Sequence, residues 1–348
     1  MLEVDKVYCM SSFLMYRTVF DKSKVFSKRF KPNIFFRNYD CEFINDSKEL
    51  SCFLKKQIEE ATCDGKAALA LSGGIDSAIL AKYMPVGSKA YTFKCVVPGV
   101  DVIDESVQAA KYAKECGLDH EVIEITWEDM MQYAPILMRN KGLPIHSIEV
   151  QILKAAIKAK KDGYSKLIFG ESADVNYGGH SELLSREYTL DEFVERYSYV
   201  IPDSVLIDSD IDIRPYEKYL QKNGCVNVHE FVRNYYFEES MGSYQNACEV
   251  AGVDFVAPYS KTWLNVPLDY KRVRNGENKY LIREIFKELY LGWSLPTKIP
   301  MPRPTNEWLA DWNGPSRDEF KKDCAKDLTG DQKWLLWSLE KFLDIIEE

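Results

Sequence analysis

The chain has 348 residues, 46% of them hydrophobic, with 45 Lys+Arg against 54 Asp+Glu for a formal net charge of -9. That length suits one large domain or two modest ones, since domains usually run ~100–200 residues. The composition excludes disorder, a collagen-like repeat and a disulfide scaffold; the acidic balance argues against a general nucleic-acid binder, whose affinity comes mainly from Lys and Arg neutralising phosphates.

No apolar run reaches the ~20 residues needed to cross a bilayer, and the opening stretch carries acidic residues where a secretory signal would carry basic ones. The nine cysteines are odd in number and scattered, with no C-x-x-C pair and no Cys/His cluster at zinc spacing. They read as small, buried, reduced thiols, which places the protein in the cytoplasm.

In chain order, residues 1 to about 55 read as short extended pieces rich in Phe, Tyr, Lys and Arg. Within them the basic run Lys22 to Lys31 contains Phe26 and Phe30; such interleaving could stack bases, though a solvated strand face is its commoner meaning. Residues 47–62 put Leu50, Phe53, Leu54, Ile58 and Ala61 on one helical stripe behind Asp46 or Ser47 as a cap. From residue 66 strands and helices alternate. Strands are expected at Ala67–Leu71, Lys89–Val97, His120–Ile125 and Lys166–Phe169; between them come helices at Asp76–Tyr83, Glu105–Cys116 closed by Gly117, and Ile148–Lys161. Short buried strands separated by helices imply right-handed crossovers and a mostly parallel sheet, with the ligand where strand C-termini meet helix N-termini. Beyond about residue 182 the chain reads as helical and aromatic-rich without clear strands, with helices over Phe231–Val250, Glu277–Tyr290 and Lys333–Ile346. The segment Leu295–Pro304 carries four prolines and must be an irregular loop, because proline fixes φ and removes a donor.

The most informative residues are Leu69-Ala70-Leu71-Ser72-Gly73-Gly74-Ile75-Asp76-Ser77, where a strand ends in Ser-Gly-Gly and a helix starts. Paired glycines let backbone N–H groups face a common concavity, and the helix N-terminus adds partial positive charge, so phosphates fit there. Asp76 is an anion beside that site, which makes sense if a divalent cation bridges carboxylate and phosphate. A plain strand–turn–helix with Asp as its cap is the bland alternative.

Ser-Gly-Gly-x-Asp-Ser resembles the signature of the PP-loop ATP pyrophosphatases, and from about residue 10 to about 310 the chain is similar to the synthetase domain of the asparagine synthetase family. Three further blocks carry the resemblance. Tyr91-Thr92-Phe93 is followed by Asp104-Glu105-Ser106, helical alanines, Gly117 and Asp119-His120-Glu121-Val122. Phe169-Gly170-Glu171-Ser172-Ala173-Asp174 leads through Val175-Asn176-Tyr177 to Gly178-Gly179. Lys279-Tyr280-Leu281-Ile282-Arg283 precedes Leu295-Pro296. The resemblance implies an α/β, PP-loop (adenine nucleotide alpha hydrolase-like) parallel sheet flanked by helices, with a largely helical C-terminal part. Residues 1–50 would be a connector-like extension, and 51–348 the ATP-binding domain, helical from about 182.

It also implies roles. Leu71, Ser72, Gly73, Gly74, Asp76, Ser77 and Gly170 would hold ATP, with Phe93 and its neighbours Lys94 and Cys95 beside the adenine. Asp76 and Asp174 would hold Mg²⁺, and Glu171 would orient the nucleophile or accept its proton. A cation is needed for charge on the α-phosphate and departing pyrophosphate. Where the family has a lysine after Leu-Pro, this chain offers Arg303, with Lys298 as fallback; Arg can clamp phosphate but cannot shuttle a proton. Ser172 and Val175 depart from the family pattern near the acceptor pocket, so the acid need not be aspartate. The start Met1-Leu2 lacks the N-terminal cysteine of the family's glutaminase, so nitrogen is expected from free ammonia, a separate glutaminase subunit, or an amine on the substrate. His120, His146, His180 and His229 have no ligand spacing and read as structural.

The expected activity is an ATP-dependent, AMP-forming amide ligase joining a small-molecule carboxylate to ammonia or an amine, with no membrane and no nucleic acid as partner. A PP-loop RNA-modifying or sulfur-transfer enzyme is the first alternative, disfavoured by the acidic balance and the missing Cys pair. A non-catalytic nucleotide-binding relative is the second, disfavoured by the intact Ser72–Ser77 loop and Asp174.

Overall fold

Small apolar residues at Ala67–Ala70 form a strand buried on both faces, and the rest of the sheet is built outward from it. The computed structural model describes residues 2–33, 35, 40–297 and 301–348. Near the N-terminus Glu3–Val4 (β1) pairs in parallel with Lys24–Val25 (β2), and Glu42–Ile44 (β3) pairs with a late strand. Ala67–Ala70 (β4), Lys89–Cys95 (β5), Asp119–Ile125 (β6), Lys166–Ile168 (β7) and Asp254–Val256 (β8) then form one all-parallel sheet in the order β6-β5-β4-β7-β8. Thr262–Leu264 (β9) is the partner of β3.

The helices cover both faces of this sheet. In chain order they begin with Lys6–Tyr16 (α1), Ser47–Thr62 (α2), Ile75–Tyr83 (α3), Ser106–Cys116 (α4), Trp127–Lys141 (α5), Glu149–Lys161 (α6) and the single turn Ala173–Asn176 (α7). Alternation along β4 sends Ala68 and Ala70 into one core and Ala67 and Leu69 into the other, as a period-2 strand requires. The first core is filled from α1, α5, α6 and the last helix, Gly330–Glu347. The second is filled from α2, α3, α4 and the helix Tyr280–Leu289. Local signals set the helix ends. Asp46 accepts from the amides of Lys48 and Glu49, both at 2.9 Å, a cap whose loss typically costs ~1 kcal/mol; Leu50, Leu54 and Ile58 form the buried stripe of α2. At the end of α4, Gly117 takes φ 66, a left-handed cap that suits glycine.

Topology places the site. From β4 the chain moves one way to β5 and β6, then returns to β7 and β8 on the other side. The connections leaving the C-terminal ends of β4 and β7 therefore diverge, and a crevice opens between residues 71–74 and 169–172.

The N-terminal expectation is corrected. Residues 6–16 are helical, capped by Asp5 accepting from the Tyr8 amide at 3.0 Å, and Tyr8 through Tyr16 are all buried. A helix covered on every side shows no polar stripe, so its sequence carries no period to read. Phe26 is buried and meets Phe342 edge-on at 5.2 Å, with Phe30 at 6.4 Å from the same ring. Phe26 belongs to the core and Phe30 packs half-buried against it, so the two do not form an exposed row of rings. Two strands, β8 and β9, also lie beyond residue 182; at three residues each they are too short to declare themselves. The helix expected over Phe231–Val250 is Val228–Tyr236 and Gly242–Ala251 joined by a π turn at Phe237–Met241. Among the described residues, no helix is long and apolar enough to cross a membrane.

Candidate active site

At the crevice, strand β4 ends and the chain folds back on itself through its own serines. Ser77 Oγ accepts from the Ser72 amide at 3.0 Å and lies 2.9 Å from Ser72 Oγ, which accepts from the Gly74 amide at 3.1 Å. The Gly73 amide donates to Glu105 Oε2 at 3.0 Å. Gly74 is the N-cap of α3 and offers no side-chain cap, so the dipole of this helix points into the crevice without an internal acceptor from its cap residue. From β7, Gly170 crosses directly over that end: a Cβ there would come within 2.9 Å of the Ser77 amide nitrogen. Glycine is needed at 170 for this approach.

One cavity of about 240 Å³ collects the two strand ends. Leu71, Ser72, Gly74, Asp76 and Ser77 line it from the β4 side, Gly170, Glu171 and Asp174 from the β7 side, and Phe93 from β5. Gly73 sits behind the wall, against Glu105, which does reach the cavity. Two of the expected adenine neighbours turn elsewhere: Lys94 pairs with Asp104 at 3.0 Å, and the buried Cys95 donates to the Pro302 carbonyl at 3.4 Å.

The cavity's central cation is Lys279, part of the Lys279–Arg283 motif and without an expected role from sequence. Its buried ammonium lies 2.7 Å from Asp76 Oδ2 and 3.1 Å from Asp174 Oδ1. Lys279 occupies the left-handed region, φ 51, just before the helix Tyr280–Leu289, a conformation that costs a non-glycine residue roughly 1–2 kcal/mol. Burial draws its pKa down, but Asp76 and then Asp174 outweigh it and hold the ammonium charged. Arg283, one turn on, lines the same wall and bonds Asn278. Asp174 is itself closely fitted, since a Cβ on Gly179 would sit 1.9 Å from its Oδ1.

Glu171 accepts from its neighbour's amide, Ser172, at 3.1 Å and is hydrogen-bonded to the Tyr244 hydroxyl, whose pKa is driven well up by burial and by Glu171. Ser172 adopts φ 73, in the left-handed region. Arg303 is not brought into the cavity. Its guanidinium donates to both oxygens of Asp331, at 2.9 and 2.7 Å, and to the Met301 carbonyl at 3.2 Å; Met301 is the residue of that loop that lines the wall. Lys298 lies outside the described residues.

The donor set suits a magnesium ion on its chemistry. Two carboxylates from neighbouring strand ends converge on one cation, here an ammonium, and among the described residues no group of three or more His, Cys, Asp or Glu is arranged to hold a metal. Two protein carboxylates completed by phosphate oxygens and water is a pattern Mg²⁺ accepts. Four acids (Asp76, Glu105, Glu171, Asp174) against Lys279 and Arg283 would also repel a polyphosphate that arrived without metal.

The family model described as asparagine synthase matches residues 54–263, more than half of the chain. Comparison with curated proteins finds no match. Among solved structures, NMN synthetase from Francisella tularensis aligns with 74% of this chain and 99% of its own, at 13% identity and a TM-score of 0.24. NH3-dependent NAD synthetase from Campylobacter jejuni subsp. jejuni aligns with 74% of this chain and 100% of its own, at 12% identity and a TM-score of 0.26.

Proposed function

The chain belongs to the asparagine synthase family, and we propose that it is an ATP-dependent, AMP-forming amide ligase. The observation that carries this reading is the single cavity in which Ser72, Gly74, Asp76 and Ser77 face Gly170, Glu171 and Asp174 around the buried Lys279. In it, the N-terminus of α3 and the cover of Gly170 receive the phosphates, and Phe93 borders the adenine. A substrate carboxylate attacks the α-phosphate, pyrophosphate leaves, and an amine or ammonia then attacks the acyl-adenylate.

Asp76 and Asp174 would hold Mg²⁺, which when bound supplies neutralising charge to the phosphates. Lys279 and Arg283 offset the charge that builds on the departing pyrophosphate, the place where fixed cations lower a barrier most. Glu171 accepts the proton that the attacking amine must lose, with the Tyr244 hydroxyl fixing its orientation. Arg303, committed to Asp331, holds the loop that closes the wall at Met301. Nitrogen comes from ammonia, a separate glutaminase or an amine substrate, and the nine free cysteines fit a reducing cytoplasm.

The test is a panel of carboxylic acids scored for conversion of ATP to AMP and pyrophosphate, with ammonia, glutamine and simple amines as nitrogen sources. An acid-dependent yield of AMP and an amide supports the reading. Release of ADP and phosphate with every acid would sink it.

A further inference from the structure

Unlike Asp76 and Asp174, which share Lys279, Glu105 has nothing positive paired with it among the described residues. Its Oε2 accepts from the Gly73 amide at 3.0 Å. The residue is buried, only 8% exposed, and it lines the cavity together with Ser72 and Asp76. The fit is tight: a Cβ on Gly73 would lie 3.0 Å from Glu105 Cβ and 3.3 Å from its carbonyl oxygen. The base of the side chain is thus packed against residue 73, and its carboxyl is tied to the same loop by the Gly73 amide. Asp104, beside it, behaves differently, turning to Lys94 at 3.0 Å and to Ser106.

The groups around Glu105 are acidic or neutral. Asp104 faces it from its own segment and Tyr244 from the helix Gly242–Ala251. Across the cavity stand Asp76, Glu171 and Asp174, with Lys279 committed to Asp76 and Asp174, and Arg283 to Asn278. An ionised carboxylate in this position would meet a triphosphate with no cation of its own to screen the encounter. A neutral carboxyl has a use there, since it can accept with one oxygen and donate from the other.

Resting on the nucleotide reading above, we propose that Glu105 binds the nucleotide as a neutral carboxylic acid: Oε2 keeps the Gly73 amide while the other oxygen, protonated, donates to a phosphate oxygen. Binding to the ionised form then takes up one proton from solvent, so that carboxylate, proton and Mg-ATP become carboxylic acid and bound Mg-ATP. The free protein is poised for this. Burial raises the Glu105 pKa, the Gly73 amide pulls it back, Asp104 adds to the rise, and the net value is about 7.

The experiment is titration calorimetry of the full chain with Mg-ATP at pH 6, 7 and 8, each in two buffers of unlike ionisation enthalpy, for the wild type and Glu105→Gln. The wild type is expected to take up close to one proton at pH 8 and almost none at pH 6, with Kd weakening about tenfold over that span. Glu105→Gln, which keeps an acceptor for Gly73 and a donor for phosphate, should show no uptake and a flat Kd near the wild-type value at pH 6. Glu105→Ala should bind more weakly at every pH, with thermal melts confirming that both variants are folded. No net proton uptake by the wild type at pH 8, or the same pH slope in Glu105→Gln, overturns the proposal. A wild type that does not bind Mg-ATP even at pH 6 overturns the nucleotide reading itself, which is a different result.

Discussion

The Lys279 ammonium lies 2.7 Å from Asp76 and 3.1 Å from Asp174, so one buried cation ties together the ends of two neighbouring strands. Removing it leaves two carboxylates facing each other, 17% and 29% exposed at their side chains. Uncompensated buried charges of this kind cost ~3–5 kcal/mol, and the partial exposure here lowers the expectation for Lys279→Met to about 2 kcal/mol. Urea denaturation should show that loss in metal-free buffer and its partial recovery with millimolar Mg²⁺. A variant as stable as the wild type without metal would show that the carboxylates do not depend on Lys279.

Glu105 predicts a pH-dependent stability in the free protein. Its folded pKa, about 7, is raised above the ordinary 4.5, chiefly by burial. The folded state thus binds more protons than the unfolded state between those values, and stability falls as pH rises from 4.5 to 7. The full penalty is on the order of 3 kcal/mol. Glu105→Gln should match the wild type at pH 4.5 and exceed it by a few kcal/mol at pH 8, read from urea midpoints. Parallel pH profiles for the two proteins would contradict this.

Gly179 has no room for a side chain, because a Cβ would lie 1.9 Å from Asp174 Oδ1 and 2.6 Å from its Cα. Gly179→Ala should therefore move Asp174 by about an ångström, and a displacement of that size can cost roughly 100-fold in rate. The expected pattern is a large fall in kcat with a cooperative thermal transition retained. Unchanged turnover would show that Asp174 is not held to a fixed position.

Ser172 is buried at φ 73, a conformation that penalises any side chain. Among the described residues, its hydroxyl donates to Met241 Sδ at 3.3 Å. Ser172→Gly is expected to stabilise the fold by about 1 kcal/mol, visible as a rise in Tm. A fall in Tm would mean that the Met241 contact outweighs the backbone strain.

Much of this architecture was legible because it is local. Strand, Ser-Gly-Gly turn and helix follow one another within residues 67–83, and the Gly170 to Asp174 block reads in the same way from β7. The cations were harder because their meaning depends on distant partners. Lys279 acquires its role only when the fold brings it to Asp76, 203 positions away. Arg303 lies in the expected loop, but Asp331, 28 positions on, takes two of its guanidinium nitrogens and the Met301 carbonyl takes the third. Glu105 was visible as half of an Asp-Glu pair, yet nothing in the pair says that one carboxyl turns outward to Lys94 and the other inward to Gly73. The buried helix α1 lacked a period because it has no exposed face.

That helix bears on how the molecule comes apart. The Tyr8 hydroxyl donates to Asp212 at 2.8 Å, Tyr16 donates to the Asp212 carbonyl at 2.6 Å, and Leu14 and Met15 accept backbone bonds from Val200 and Tyr199. Residues well before position 54 thus fill the interior of the segment that follows it. A fragment cut at the start of the family-matched region would expose a trough shaped for Phe13 and Leu14, and should aggregate rather than fold. In the intact chain, α1 contributes to both cores, so its loss and the loss of the central sheet should coincide in one melting transition, seen as equal midpoints by near- and far-UV circular dichroism.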